Sequence, residues 1–372
     1  MVLWNLAAAQ AFRSYALCKP QIQQGVKDMS FESGLATKQE RLQSLSTENG
    51  IIAALAVDQR KSLRRLMAEA AGLPFDQIPD ERLITFKSVV SELLTCHASA
   101  ILLDPEYGLD AARNRSPGSG LLLAYELDGY ENPRPHRMLA LMPRLTVRRL
   151  RDMGADGVKI LLHYAPDDLP EVNDEKGALI ERIGAECAAL DMPFFLEPIV
   201  YEASSQANTR DTERQALEYA RRKPELVIAT MREFSLPEYR VDVLKVEFPV
   251  VARFVEGSRT NRGNFAHTME EALALYRAAD AAAGCPYIYL SAGVPTPEFQ
   301  ESLRLAGEAG TRFSGVLCGR ATWQEAIPIY MREGEEALRQ WLGTFGAENL
   351  EALNRLLERA VPWSSFVPGG RV

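Results

Sequence analysis

Gly157-Val-Lys-Ile-Leu-Leu-His-Tyr164 and Val241-Asp-Val-Leu-Lys-Val-Glu-Phe-Pro249 each read as a buried strand interrupted by one lysine, Lys159 in the first and Lys245 in the second. Near-continuous apolar runs of this kind belong to parallel sheets covered on both faces. Taking an ammonium group out of water costs several kcal/mol, so an interior lysine is either paired with a carboxylate or used as an amine nucleophile. The two segments therefore bear on fold and chemistry together.

Outward from them, short apolar and β-branched runs recur at Ile51 to Val57, Ser99 to Leu103, Gly120 to Tyr125, Val158 to Leu162, Pro193 to Glu197, Val243 to Phe248, Tyr287 to Ser291 and Phe313 to Cys318. Helical patterns at Glu81 to Leu94, Ile180 to Leu190, Met269 to Ala283 and Pro297 to Ala309 fill gaps of the length a βα crossover needs. This alternation predicts an α/β fold, a single (β/α)8 TIM barrel. The link Asp104 to Ser119 is the irregular crossover. The polar stretch after the fifth strand, Ser204 to Asp211, reads as a loop before a helix around Thr212 to Arg222. The expected organisation is an N-terminal extension over 1–37, a barrel over 38–345 and a helical tail over 346–372 packed on it. Residues 1–28 match no element of the pattern, which suggests an extension or a true start at Met29.

The 372 residues carry a formal charge of -8, which argues against nucleic acid or an anionic membrane as the main partner. No segment reads as a secretory signal or a membrane span. Five cysteines stand singly, which fits reduced thiols in the cytoplasm, and four scattered histidines lack metal-ligand spacing, so a metal-free, cofactor-free mechanism is expected. A homo-oligomer is compatible with these features.

Side chains two apart on a strand share a face, so Lys159 groups with Leu161 and His163, Glu197 with Phe195, and Lys245 with Val243 and Glu247. If all three strands aim these residues inward, Lys159, Glu197 and Lys245 meet at one level of the barrel. That set suits amine catalysis: one lysine attacks a ketone, a second cation lowers its pKa, and a carboxylate moves protons. Bringing a lysine from about 10.4 to about 7 takes roughly 4 to 5 kcal/mol, which burial and a like charge can supply. The plainer alternative is a buried ion pair tying strands together, and Glu247 is open to the same reading.

Strand one ends in Leu55-Ala-Val-Asp-Gln-Arg60, at the barrel end where catalysis is expected. Asp58 is there either to hold a lysine or bind hydroxyls, or to cap the helix that follows. Arg60 is a surface charge or a phosphate clamp. Strand seven ends in Leu290-Ser-Ala-Gly-Val294 and strand eight in Cys318-Gly-Arg320, small residues and an arginine at the recurrent phosphate site of this architecture. A phosphorylated substrate follows.

The sequence resembles the class I tagatose 1,6-bisphosphate aldolases from about Lys38 to Trp363. The likeness rests on long segments, among them Gly50 to Arg60, Ile101-Leu-Leu-Asp-Pro-Glu-Tyr-Gly108, Gly120-Leu-Leu-Leu-Ala-Tyr-Glu126, Asp242 to Glu247, Pro286 to Val294 and Phe313 to Trp323. It implies cleavage of D-tagatose 1,6-bisphosphate to dihydroxyacetone phosphate and glyceraldehyde 3-phosphate. Lys245 would form the imine, Glu197 would transfer protons and Lys159 would lie beside them. Asp58 and Gln59 would contact substrate, and Ser291, Gly293, Gly319 and Arg320 would hold the phosphate next to the ketone. The family motif Ala-Phe-Asp-Gln-Arg-Gly is altered here, with Val57 for the aromatic residue and Lys61 for the glycine. Those changes fall where Arg60 or Lys61 would meet the distal anion. Relatives cleave other ketose phosphates, so an aldolase for 6-deoxy-6-sulfofructose 1-phosphate or another ketose 1-phosphate is the alternative enzyme. A non-catalytic sugar-phosphate sensor on the same barrel is the alternative from another class; it would need the anion site but no complete Lys, Lys and Glu set.

Overall fold

The computed structural model describes residues 36–127, 129–203 and 212–366. Eight parallel strands close into a barrel in chain order: β1 (Ile52–Ala56), β2 (Ala100–Leu103), β3 (Gly120–Ala124), β4 (Gly157–Tyr164), β5 (Phe194–Val200), β6 (Val243–Val246), β7 (Tyr287–Leu290) and β8 (Gly315–Cys318), with β8 returning to β1. Each expected run overlaps its strand, with β4 and β5 extending beyond theirs, and the eight-stranded closure agrees with the sequence reading.

The alternation of side chains accounts for two cores. Ala54, Ala56, Ala100, Leu122, Ala124, Phe195, Val243 and Ile288 point inward and pack together in the barrel lumen. Leu55, Ile101, Leu123, Ile160, Leu196 and Leu244 point outward into the larger core shared with the helices. Small residues on the first three strands leave room for Phe195 from the opposite wall, so the lumen is filled rather than hollow. The helix Lys38–Ser44 closes the lower end: Leu42 and Leu45 pack on the lumen cluster beside Trp363, whose backbone N–H donates to Gly50 O at 2.9 Å.

Several elements run longer than their sequence patterns suggest: β4 spans Gly157–Tyr164 and the helix expected at Ile180 to Leu190 spans Pro170–Ala189. β5 continues past Glu197 through Pro198 to Val200. Its pairing with β6 is confined to Phe195 and Leu196, while its pairing with β4 continues to Val200, so the proline sits where one ladder has already ended. The helix expected around Thr212 to Arg222 spans Glu213–Glu233 and carries Pro224 inside it. Burial of Leu226, Val227 and Met231 maintains the helix beyond a residue that normally stops one. It starts at a capping box in which the Thr212 side chain accepts from Gln215 N, and the polar loop expected before it lies outside the described residues, as do residues 1–28. The irregular crossover contains a short helix, Leu109–Asn114. No described helix is long and apolar enough to cross a membrane.

Candidate active site

Lys159 and Lys245 both point into the carboxyl-terminal end of the barrel, and Glu197 joins them. Glu197 Oε2 lies 2.8 Å from Lys159 Nζ and 2.8 Å from Lys245 Nζ, held by charge rather than by aligned hydrogen bonds. The three do not start from one level. Strand pairing sets Lys159 beside Phe195, two residues below Glu197 on the same inward face, and its long side chain reaches up to the carboxylate.

The two lysines differ in their surroundings. Lys159 is fully buried and meets three carboxylates: Glu126 Oε1 at 2.7 Å, Glu197 at 2.8 Å and Asp58 Oδ2 at 2.9 Å. Burial works against its charge, but the Asp58, Glu126 and Glu197 carboxylates outweigh burial and hold its pKa well above the usual lysine value. It is a fixed cation. Lys245 has Glu197 as its one ion-pair partner among the described residues and borders a small space lined by Gln59, Ser291, Gly293, Gly319 and Arg320. Burial disfavours the charged forms of Asp58 and Glu197, yet the nearby Lys159 and Lys245 charges dominate and hold both pKa values down, so each is ionised near neutrality.

Asp58 is not a helix cap. The helix Lys61–Ala71 starts without a side-chain cap at Arg60, and Asp58 instead takes bonds from Lys159 and from Gln59 Nε2 at 3.1 Å. The strand-one rim is set from behind by Lys87, a buried lysine paired with Asp104 that donates to Val57 O at 2.6 Å and Gln59 O at 2.8 Å. Arg60 is buried rather than a surface charge: its Nη2 donates to Glu126 O at 2.9 Å, and its Nη1 has no hydrogen-bond partner among the described residues. Glu247 turns away from the lysines to Lys223, 3.1 Å off, and accepts from Val200 N at 3.0 Å, a structural pairing.

The ends of β7 and β8 form one corner. Gly293 has φ +77°, and a Cβ there would lie 2.5 Å from Arg320 Cζ; a Cβ on Gly319 would lie 2.9 Å from Ala56 O. Both positions need glycine for close approach. The Arg320 guanidinium lies 5.2 Å from the centre of the Tyr130 ring.

Two residues at the centre were not singled out from sequence. Glu126 ends β3 as Asp58 ends β1, and the same reading of polar residues at strand ends would have found it; its Oε2 also accepts from Leu161 N at 3.2 Å. Tyr130, on the loop after β3, donates from its hydroxyl to Glu197 Oε1 at 2.8 Å. No local pattern marks it, because a loop tyrosine has no periodicity to break.

The model for DeoC/LacD family aldolases matches residues 52–325. The chain belongs to the DeoC/LacD aldolase family. It is 46% identical over 327 residues to the tagatose 1,6-diphosphate aldolase of Listeria monocytogenes serotype 4a, covering 88% of this chain and 93% of that one. Identity is 47% over 322 residues to tagatose 1,6-diphosphate aldolase 2 of Enterococcus faecalis, covering 87% and 94%, and 45% over 331 residues to the Streptococcus pneumoniae aldolase of the same activity, covering 89% and 98%. Among solved structures, fructose-bisphosphate aldolase from Plasmodium falciparum shares the fold at a TM-score of 0.63 and 13% identity, covering 87% of this chain and 94% of that one. As a DeoC/LacD aldolase, the protein carries its buried Lys, Lys and Glu set at the end of the barrel where this architecture places catalysis.

Proposed function

We propose that this DeoC/LacD aldolase cleaves D-tagatose 1,6-bisphosphate to dihydroxyacetone phosphate and D-glyceraldehyde 3-phosphate through an imine on Lys245, in the cytoplasm and without a metal. The observation that carries the reading is the unequal setting of the two lysines. Lys159 is surrounded by three carboxylates, whereas Lys245 borders the glycine and arginine corner with Glu197 at 2.8 Å. The names of relatives 45% to 47% identical support the substrate. Free thiols at Cys96, Cys187, Cys285 and Cys318 support the compartment.

In this reading Glu197 takes the proton of Lys245, whose amine adds to C2 of the ketose. Glu197 returns that proton to the departing hydroxyl, and water leaves to give the iminium ion. Glu197 then accepts the C4 hydroxyl proton, the C3–C4 bond breaks, its electron pair moves into the enamine, and the aldehyde departs. Protonation of C3 by Glu197 and addition of water release dihydroxyacetone phosphate and the free amine. Lys159 keeps Glu197 ionised at the start of each half. Asp58 and Gln59 hold substrate hydroxyls, and Ser291, Gly293, Gly319 and Arg320 hold the proximal phosphate.

The distal group faces the cavity of about 570 Å³ lined by Arg60, Lys61, Arg64 and Arg134. Asp58, Glu106, Glu126 and Glu131 line the same cavity, so the preference for a distal phosphate rests on the names of the relatives and on Arg60, whose buried guanidinium has one nitrogen without a hydrogen-bond partner among the described residues. Borohydride trapping with dihydroxyacetone phosphate, followed by peptide mass spectrometry, tests the imine. A reduced adduct on Lys245, lost in Lys245→Met, is expected; adduct formation elsewhere, or normal turnover by that variant, would overturn the assignment. Cleavage rates for tagatose 1,6-bisphosphate and 6-deoxy-6-sulfofructose 1-phosphate are expected to favour the bisphosphate.

A further inference from the structure

The space beside Lys245 is too small for the reaction just described. It measures about 10 Å³, room for roughly one water molecule, whereas sites for small organic ligands run to roughly 300–1,000 Å³. Cavities of that larger size lie on either side of it, about 570 Å³ toward β1 and β3 and about 660 Å³ toward β5 and β7. Tyr130 lines all three. Its ring packs on Leu161, Ile199 and Leu290, its hydroxyl occupies Glu197 Oε1 at 2.8 Å, and the Arg320 guanidinium lies over it at 5.2 Å in the space that the missing Cβ of Gly293 leaves open. One side chain thus engages both the proton-transfer carboxylate and the arginine of the anion corner.

We infer that Tyr130 is a specificity-determining residue that stands in the place of the ketose beside Lys245 and is displaced when a phosphate draws Arg320 off its ring. Imine formation is thereby conditional on the phosphate, whichever aldehyde half follows. The exchange is chemically favourable: the guanidinium gives up a weak contact with a ring face for a charge-assisted fork with an anion. As the ring leaves, Glu197 Oε1 loses its donor and becomes available to a substrate hydroxyl. The inference rests on the imine reading above and adds that the phosphate opens the site as well as anchoring the substrate.

The test uses the full chain and two ketone probes, dihydroxyacetone and dihydroxyacetone phosphate, each trapped on Lys245 by borohydride with inorganic phosphate present or absent. In the wild type, inorganic phosphate is expected to speed trapping of dihydroxyacetone by about tenfold or more, the scale of one hydrogen bond and one cation–π contact released. Tyr130→Ala is expected to trap dihydroxyacetone at that faster rate without phosphate. Tyr130→Phe keeps the ring and loses the Glu197 contact, so it retains a reduced phosphate response. A far-ultraviolet circular dichroism spectrum and a thermal unfolding midpoint like those of the wild type show that a variant is folded. If both variants handle dihydroxyacetone as the wild type does, or phosphate only inhibits in the wild type, the inference fails while the imine stands. If the wild type forms no adduct on Lys245 with dihydroxyacetone phosphate, the imine reading fails and this inference with it.

Discussion

At the scale of single residues, Lys159 and Lys245 show how neighbours assign roles to chemically identical groups. Three carboxylates at 2.7 to 2.9 Å fix Lys159 as a cation, and that same cation keeps Glu197 and Asp58 ionised. Removing one member of a buried charge cluster leaves the rest uncompensated. Lys159→Met is therefore expected to lose roughly 3 to 5 kcal/mol of stability in denaturant titration, and a variant as stable as the wild type would show that the cluster is not held by its charge. Glu197→Gln keeps the shape and loses the proton acceptor. It is expected to bind dihydroxyacetone phosphate and yet turn over roughly 10²-fold or more slowly, read as a fall in kcat with little change in KM. Both expectations depend on contacts that chain separation hides, since Asp58 and Lys159 stand 101 positions apart.

At the scale of elements, the strand ends carry the site, and their local chemistry was only partly visible in the chain. Gly293 and Gly319 are short-range signals because backbone approach is encoded in the residue type. Gly293→Ala would set a methyl carbon 2.5 Å from Arg320 Cζ at a φ of +77°. Steady-state kinetics of this variant should show KM for the phosphorylated ketose raised by about tenfold or more, as one charge-assisted contact is weakened, with kcat less affected; an unchanged KM would separate Arg320 from phosphate binding. The loop after β3 gave no such signal. Glu126 and Tyr130 reach Lys159 and Glu197 only because β3 lies next to β4 in the closed sheet.

At the scale of the whole molecule, the loops over the barrel mouth are tied by a buried lysine outside the reaction centre. Lys176 donates to the Tyr201 hydroxyl at 3.1 Å, and that hydroxyl donates to Asp168 at 2.7 Å. Burial lowers the Lys176 pKa to about 8, against the opposing pull of Asp168. A lysine whose pKa is lower when folded binds fewer protons there than in the unfolded chain, so its charging cost is fully present below about pH 8 and is relieved as pH rises toward the usual 10.5. Stability measured against Lys176→Met should therefore shift in favour of the wild type across that window, and a flat difference would mean the group titrates normally.

The sequence by itself determined the eight strands, their inward faces, the lysines at 159 and 245, Glu197 between them, and the small-residue corner at Ser291, Gly293, Gly319 and Arg320. Each is a short-range property: period-two burial, a charge in an apolar run, or a glycine at a turn. Only the tertiary structure decided which lysine is locked by carboxylates, that Arg60 is buried, that Glu247 pairs with Lys223, and that Tyr130 lines the space beside Lys245. Those outcomes follow from the closure of the sheet, which sets the distances between strand ends and so the local electrostatics, and no span of contiguous residues contains them.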